Sequence, residues 1–137
     1  MINIALALYG IVVLGLLAMA VKFGLGPVPA PHHAAAMSQD GVSLTPKLRM
    51  VLKGVYQSMA GAYVALAIVI AWTAYGSIRI GHVWPAWALA VAGLCCGLPA
   101  AFRSRQVQLA TGVRSPWLAA VTMTALMVVA AVVMSLR

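Results

Sequence analysis

The stretch Asn3 to Phe23, NIALALYGIVVLGLLAMAVKF, carries a single charge, Lys22. An α-helix rises 1.5 Å per residue, so this run reaches about 30 Å, the thickness of a bilayer's hydrocarbon core. It stops at Gly24-Leu25-Gly26-Pro27, residues that do not readily continue a helix. Ala18-Met19-Ala20 resembles a signal-peptide cleavage site, but no Lys or Arg precedes the apolar run, so the segment is read as a retained anchor.

Working outward, three further apolar stretches follow at about residues 46–75, 83–102 and 116–136. The second has Thr45 as its N-cap and Pro46 at the first helical position, where the missing N–H does no harm. Its start, with Lys47, Arg49 and Lys53, is expected to protrude, leaving residues 55–75 in the hydrocarbon. The third opens on Trp84-Pro85-Ala86-Trp87, an interfacial aromatic anchor. Its hydrophobic part ends near Phe102, and Gly112 supplies a stop for a protruding extension. Pro99 is expected to kink it near its end. The fourth begins at Ser115-Pro116-Trp117. Between the first two spans, residues 24–45 hold Pro27, Pro29 and Pro31 and then Ser38-Gln39-Asp40-Gly41, which predicts an extended, polyproline-like segment and a turn.

Composition supports the same reading. The 137 residues are 64% hydrophobic and 7% charged, with a mean hydropathy of +1.03; soluble domains are roughly 45–50% apolar and roughly 25% charged. The predicted fold is an all-α, integral membrane four-helix transmembrane bundle, one domain over residues 1–137. Seven basic residues (Lys22, Lys47, Arg49, Lys53, Arg103, Arg105, Arg114) flank the first and third connections, against Arg79 and Arg137 on the other side. The positive-inside tendency therefore places both termini on the non-cytoplasmic side, with the bacterial cytoplasmic (inner) membrane as the expected location.

Asp40 is the sole acidic residue. It falls in a connection, so no carboxylate within a span is available to relay protons or hold a cation. The net charge of +8 sits at the edges of apolar segments, where lipid phosphate is nearer than nucleic acid, and no basic patch with interleaved aromatics exists outside the spans. No phosphate loop, zinc motif or nucleophile with a base is present.

Among reactive residues, His32 and His33 are possible metal ligands with Asp40 or a partner's residue, and His82 is a possible axial contact to a haem or pigment supplied by a neighbour. The simpler reading makes them interfacial polar residues. Cys95 and Cys96 point about 100° apart on a helix and suit packing better than a disulfide. Met123 and Met127, one turn apart, read as packing residues.

The small residues form a pattern of their own. Gly54, Ser58, Gly61 and Ala65 recur at three- and four-residue spacing, and Gly93 and Gly97 form a second strip; such strips let helices approach closely in lipid. Gln57 and Ser58 add the ability to hydrogen-bond across helices. Lys47, Arg49, Lys53, Arg103 and Arg105 form a basic collar suited to anionic lipid headgroups or an acidic partner surface. The sequence thus points to a non-enzymatic membrane subunit with no intrinsic cofactor. It would pack against lipids, other transmembrane subunits or copies of itself and support a larger membrane complex. A small oligomeric transporter or channel is the alternative.

Overall fold

A computed structural model describes residues 1–39 and 41–136, all helical or in turns and connections. The N-terminal span is α1, Ile2–Leu25. It ends where the Gly26 N–H meets the Lys22 carbonyl at 3.1 Å. A short helix, α2, covers Pro31–Gln39. The second span, α3, covers Pro46–Thr73 and runs into a π-helical turn, Ala74–Ile78. Then α4 covers Trp84–Thr111 and α5 covers Trp117–Ser135. Among the described residues four segments are long and apolar enough to cross a membrane: α1, α3 with its π turn, α4 and α5.

The helix signals work as physical chemistry demands. Thr45 Oγ1 accepts the Leu48 N–H at 3.2 Å, satisfying one orphan donor of the first turn. Gly112 closes α4 with φ 68°, a left-handed conformation that glycine adopts without a Cβ penalty, and its N–H reaches the Gln108 carbonyl at 2.8 Å. Pro99 lies inside α4, which is helical on both sides of it.

Two expectations about the connections need correction. The segment after Pro31 is helical rather than extended: proline sits at a helix start, where it is tolerated, and Ala34-Ala35-Ala36 favour helix intrinsically. The Gly41 N–H then closes on the Ser38 carbonyl at 3.2 Å, with Gly41 at φ 66°. The link after the second span is also shorter than residues 76–83. Five-residue hydrogen bonds, Arg79 N–H to the Ala74 carbonyl at 2.9 Å and His82 N–H to the Ser77 carbonyl at 3.1 Å, carry the winding onward.

The helix order in space differs from that along the chain. Helix α1 packs against α3 and against α5, α5 packs against α4, and the π turn touches α1 and α4. The neighbour order is therefore α3, α1, α5, α4. Ala5, Tyr9, Val12 and Leu16 of α1 are buried against Ala67 and Ile70 of α3 and against Met127, Ala130, Ala131 and Met134 of α5. The outward surface is apolar as well: Leu14, Ile68, Trp72, Val91 and Leu118 are all exposed. A helix apolar all round suits lipid on one side and protein on the other.

Lipid tails are as apolar as Leu, so close van der Waals contact and hydrogen bonds must hold these helices together. The α1–α5 contact is made at Gly15, where an added Cβ would collide with the Met123 side chain. Gly93 and Gly97 serve the α4–α5 contact: a Cβ at Gly93 would lie 2.8 Å from Met127 Sδ, and one at Gly97 would collide with Thr124 Oγ1. The Tyr9 hydroxyl donates to the Ala86 carbonyl at 3.2 Å and ties α1 to α4. Trp87 Nε1 donates to Ser135 Oγ at 2.9 Å, fixing the start of α4 beside the end of α5.

Candidate functional site

Tyr9 lines one groove with Arg79, and Trp87 meets Ser135, so the start of α1, the π turn, the start of α4 and the end of α5 share one end of the molecule. The opposite end collects the basic residues and α2. There the predicted site residues divide into a polar junction, a basic collar and a small-residue face.

The junction is built where α1, α2 and α3 meet. Phe23 of α1 sets its ring edge-on to Tyr56 of α3 at 5.4 Å and stacks on Tyr63 at 6.0 Å. Ala30, just before α2, is buried there. Its N–H donates to the Tyr56 hydroxyl at 3.1 Å. His33 Nδ1 also meets that hydroxyl. The phenol oxygen thus accepts from Ala30 and pairs with His33 Nδ1, with donor and acceptor set by the imidazole tautomer. The His32 ring lies 4.1 Å from that of His33. Burial lowers the pKa of both histidines; the charge of Lys22 lowers both further, and His33 lowers that of His32. The junction thus favours the neutral imidazole.

His33, expected with His32 as an interfacial polar residue, meets Tyr56. No local pattern marks Tyr56 out, because its partners are 26 and 23 residues away in the chain. Asp40, the proposed companion for a metal, lies outside the described residues. Among the described residues no group of three or more His, Cys, Asp or Glu is placed to hold a metal ion. His82 is exposed at the other end, two residues before the exposed Trp84.

The collar residues Lys47, Arg49, Lys53, Arg103 and Arg105 are all exposed. Arg103 donates to Gln106 Oε1 at 2.9 Å, and the Arg105 guanidinium lies 5.6 Å from the Trp117 ring centroid. Helix α2 reaches across towards the end of α4, where Gln39 Nε2 donates to the Thr111 carbonyl at 2.8 Å. The basic end is thereby cross-braced from α3 through α2 to α4.

The two small-residue strips have different placements. Gly93 and Gly97 face α5 within the chain, whereas Gly54, Ser58, Gly61 and Ala65 are exposed on the outer face of α3. A Cβ added to Gly54 or Gly61 would meet nothing within 4 Å. Gln57 lies on the same exposed surface, and neither it nor Ser58 has a hydrogen-bond partner among the described residues. Cys95 and Cys96 are free and exposed on α4. Gly15, which the sequence reading did not single out, serves the α1–α5 contact.

In comparisons with known proteins, the chain matches no family model, no curated protein and no solved structure.

Proposed function

We propose that the protein is a non-enzymatic membrane subunit that packs through the outer face of α3 against another transmembrane helix, from a second copy or a different subunit, and supports assembly of a larger membrane complex. The observation that carries this reading is the uncovered strip Gly54, Ser58, Gly61 and Ala65 beside the unsatisfied amide of Gln57. A glycine inside a helix costs about 1 kcal/mol relative to alanine. Gly54 and Gly61 repay nothing within the chain, and a neighbouring backbone drawn close would use the space they leave. A polar partner on that neighbour would satisfy Gln57 and Ser58 by interhelical hydrogen bonds, typically about 0.6 kcal/mol each in lipid. The basic collar at the same end would hold the assembly to anionic headgroups of a bacterial cytoplasmic membrane or to an acidic partner surface.

Gly61→Leu tests the reading. It fills open space, so the thermal transition of the isolated chain in detergent should not change, while the complex recovered from native membranes should fall. A wild-type chain that stays monomeric and partnerless in mild detergent, or a G61L chain recovered with its full complex, would refute it.

A second reading, an oligomeric transporter or channel, is favoured by the same outward Gln57 and Ser58. Besides the hydroxyls of Tyr9 and Tyr56, Thr124 is the one buried polar side chain among the described residues, and its hydroxyl donates to the Ala120 carbonyl of its own helix at 2.9 Å. A polar path built from this chain would therefore lie between copies. Solute flux into liposomes that is abolished by Gln57→Leu would favour this alternative.

A further inference from the structure

At the end opposite the collar, α1 and the end of α3 leave a groove of about 230 Å³. Leu6, Gly10 and Val13 form one wall, one turn apart along α1; Ala71, Tyr75 and Arg79 form the other. The groove exists because side chains are missing: Gly10 has nothing within 4 Å of the position its Cβ would take, and Ala71 offers only a methyl group. Its lining is almost entirely apolar, and Arg79 is its one charged residue.

Arg79 is the only Lys or Arg at this end among the described residues. Its guanidinium lies 5.0 Å from the Tyr75 ring centroid. No ion pair engages it among the described residues, and the chain's single acidic residue, Asp40, falls in the connection before α3. Exposed Trp72 and Trp84 mark this level as the membrane–water interface, where aromatic belts sit. A cation at headgroup depth above an apolar slot matches one class of ligand by charge and shape.

We propose that this groove binds one anionic phospholipid, its acyl chain lying along Gly10 between α1 and α3 and its phosphate paired with Arg79. The planar guanidinium presents a fork of N–H donors that fits phosphate oxygens, and stacking on Tyr75 holds that fork at the mouth. A free phosphate would gain nothing from the apolar walls. A zwitterionic lipid would lose the net charge attraction.

The test uses the full chain in liposomes containing a photoactivatable phosphatidylglycerol, with cross-linked peptides mapped by mass spectrometry. Labelling is expected in residues 6–13 and 71–79, exceeding that from a photoactivatable phosphatidylcholine. Arg79→Gln should reduce it by about fivefold, the weight of one charge at an anionic surface. Gly10→Leu and Ala71→Leu, which fill the slot from opposite walls, should each reduce it while leaving the thermal transition unchanged. Labelling of the peptides carrying Lys47, Arg49 and Lys53 at the other end serves as the internal standard and should not change. Equal labelling by the two lipids, labelling undiminished in R79Q, or cross-links from this groove only to a second protein chain would overturn the proposal.

Discussion

At the residue scale, Tyr56 is the most consequential side chain that a sequence reading passes over. Its hydroxyl accepts from Ala30 and hydrogen-bonds to His33, joining the entry of α2 to α3. Tyr56→Phe keeps the ring contacts with Phe23 but leaves a buried N–H unpaired, so unfolding in detergent should become easier by about 1–3 kcal/mol. The junction also gives the protein a pH dependence with a definite sign. Both histidines have folded pKa values lowered below the ordinary 6.5, so the unfolded chain binds protons first as the pH falls. The stability they contribute is fully present above about pH 6.5 and is lost progressively below it as the pH falls through the folded values. Thermal transitions measured between pH 8 and 5 should therefore decline on the acid side, and the decline should shrink in His33→Gln, which cannot titrate.

At the element scale, the helices are held by backbone proximity. Gly97→Ala drives a methyl group into Thr124 Oγ1, and overpacking of this kind costs about 1–3 kcal/mol. Thr124→Ala removes the obstructing hydroxyl, so the double variant G97A/T124A should recover part of the loss. A coupling of about 0.5–3 kcal/mol is the range for residues in direct contact, and strictly additive losses would show that α4 and α5 do not meet at this point. Ala at Gly61 should have no such cost, since nothing lies within 4 Å. The contrast between the two glycines separates contacts inside the chain from surface left for another helix. Helix starts and stops were legible from Thr45, Pro46, Pro85 and Gly112, because capping is local chemistry. The helix at Pro31–Gln39 was not, since the alternating Pro27, Pro29 and Pro31 suggested an extended chain and only its anchoring to Tyr56 and Thr111 makes a nine-residue helix worthwhile.

At the scale of the whole molecule, charge predicts an orientation. Lys22, Lys47, Arg49, Lys53, Arg103, Arg105 and Arg114 sit at one end and Arg79 at the other, so the positive-inside tendency predicts that the basic end faces the cytoplasm. With Cys95 and Cys96 replaced by serine, a reporter cysteine at Val42 should resist an impermeant thiol reagent in intact cells, and one at Ile80 should react. The reverse pattern would invert the topology. The exposed basic collar predicts salt sensitivity too: ion pairs with an acidic partner are screened over about 8 Å at physiological ionic strength. Replacing Arg103 and Arg105 with Gln should reduce co-purification of anionic lipid or partner with topology unchanged; full retention would limit these arginines to setting topology.

Span number, solvent and the caps at Thr45 and Gly112 followed from the sequence alone, because a length of apolar chain, a capping hydroxyl and a left-handed glycine act within a few residues. The outward placement of Gly54 and Gly61, the inward placement of Gly93 and Gly97, and the meeting of Tyr56 with His33 required the tertiary structure. All four spans are apolar on every side, so hydropathy carries no information about which face meets protein and which meets lipid. That choice is made by complementary shape between helices distant in sequence, as where Gly15 admits Met123 and Gly97 admits Thr124, and by hydrogen bonds such as Tyr9 to Ala86, 77 residues apart.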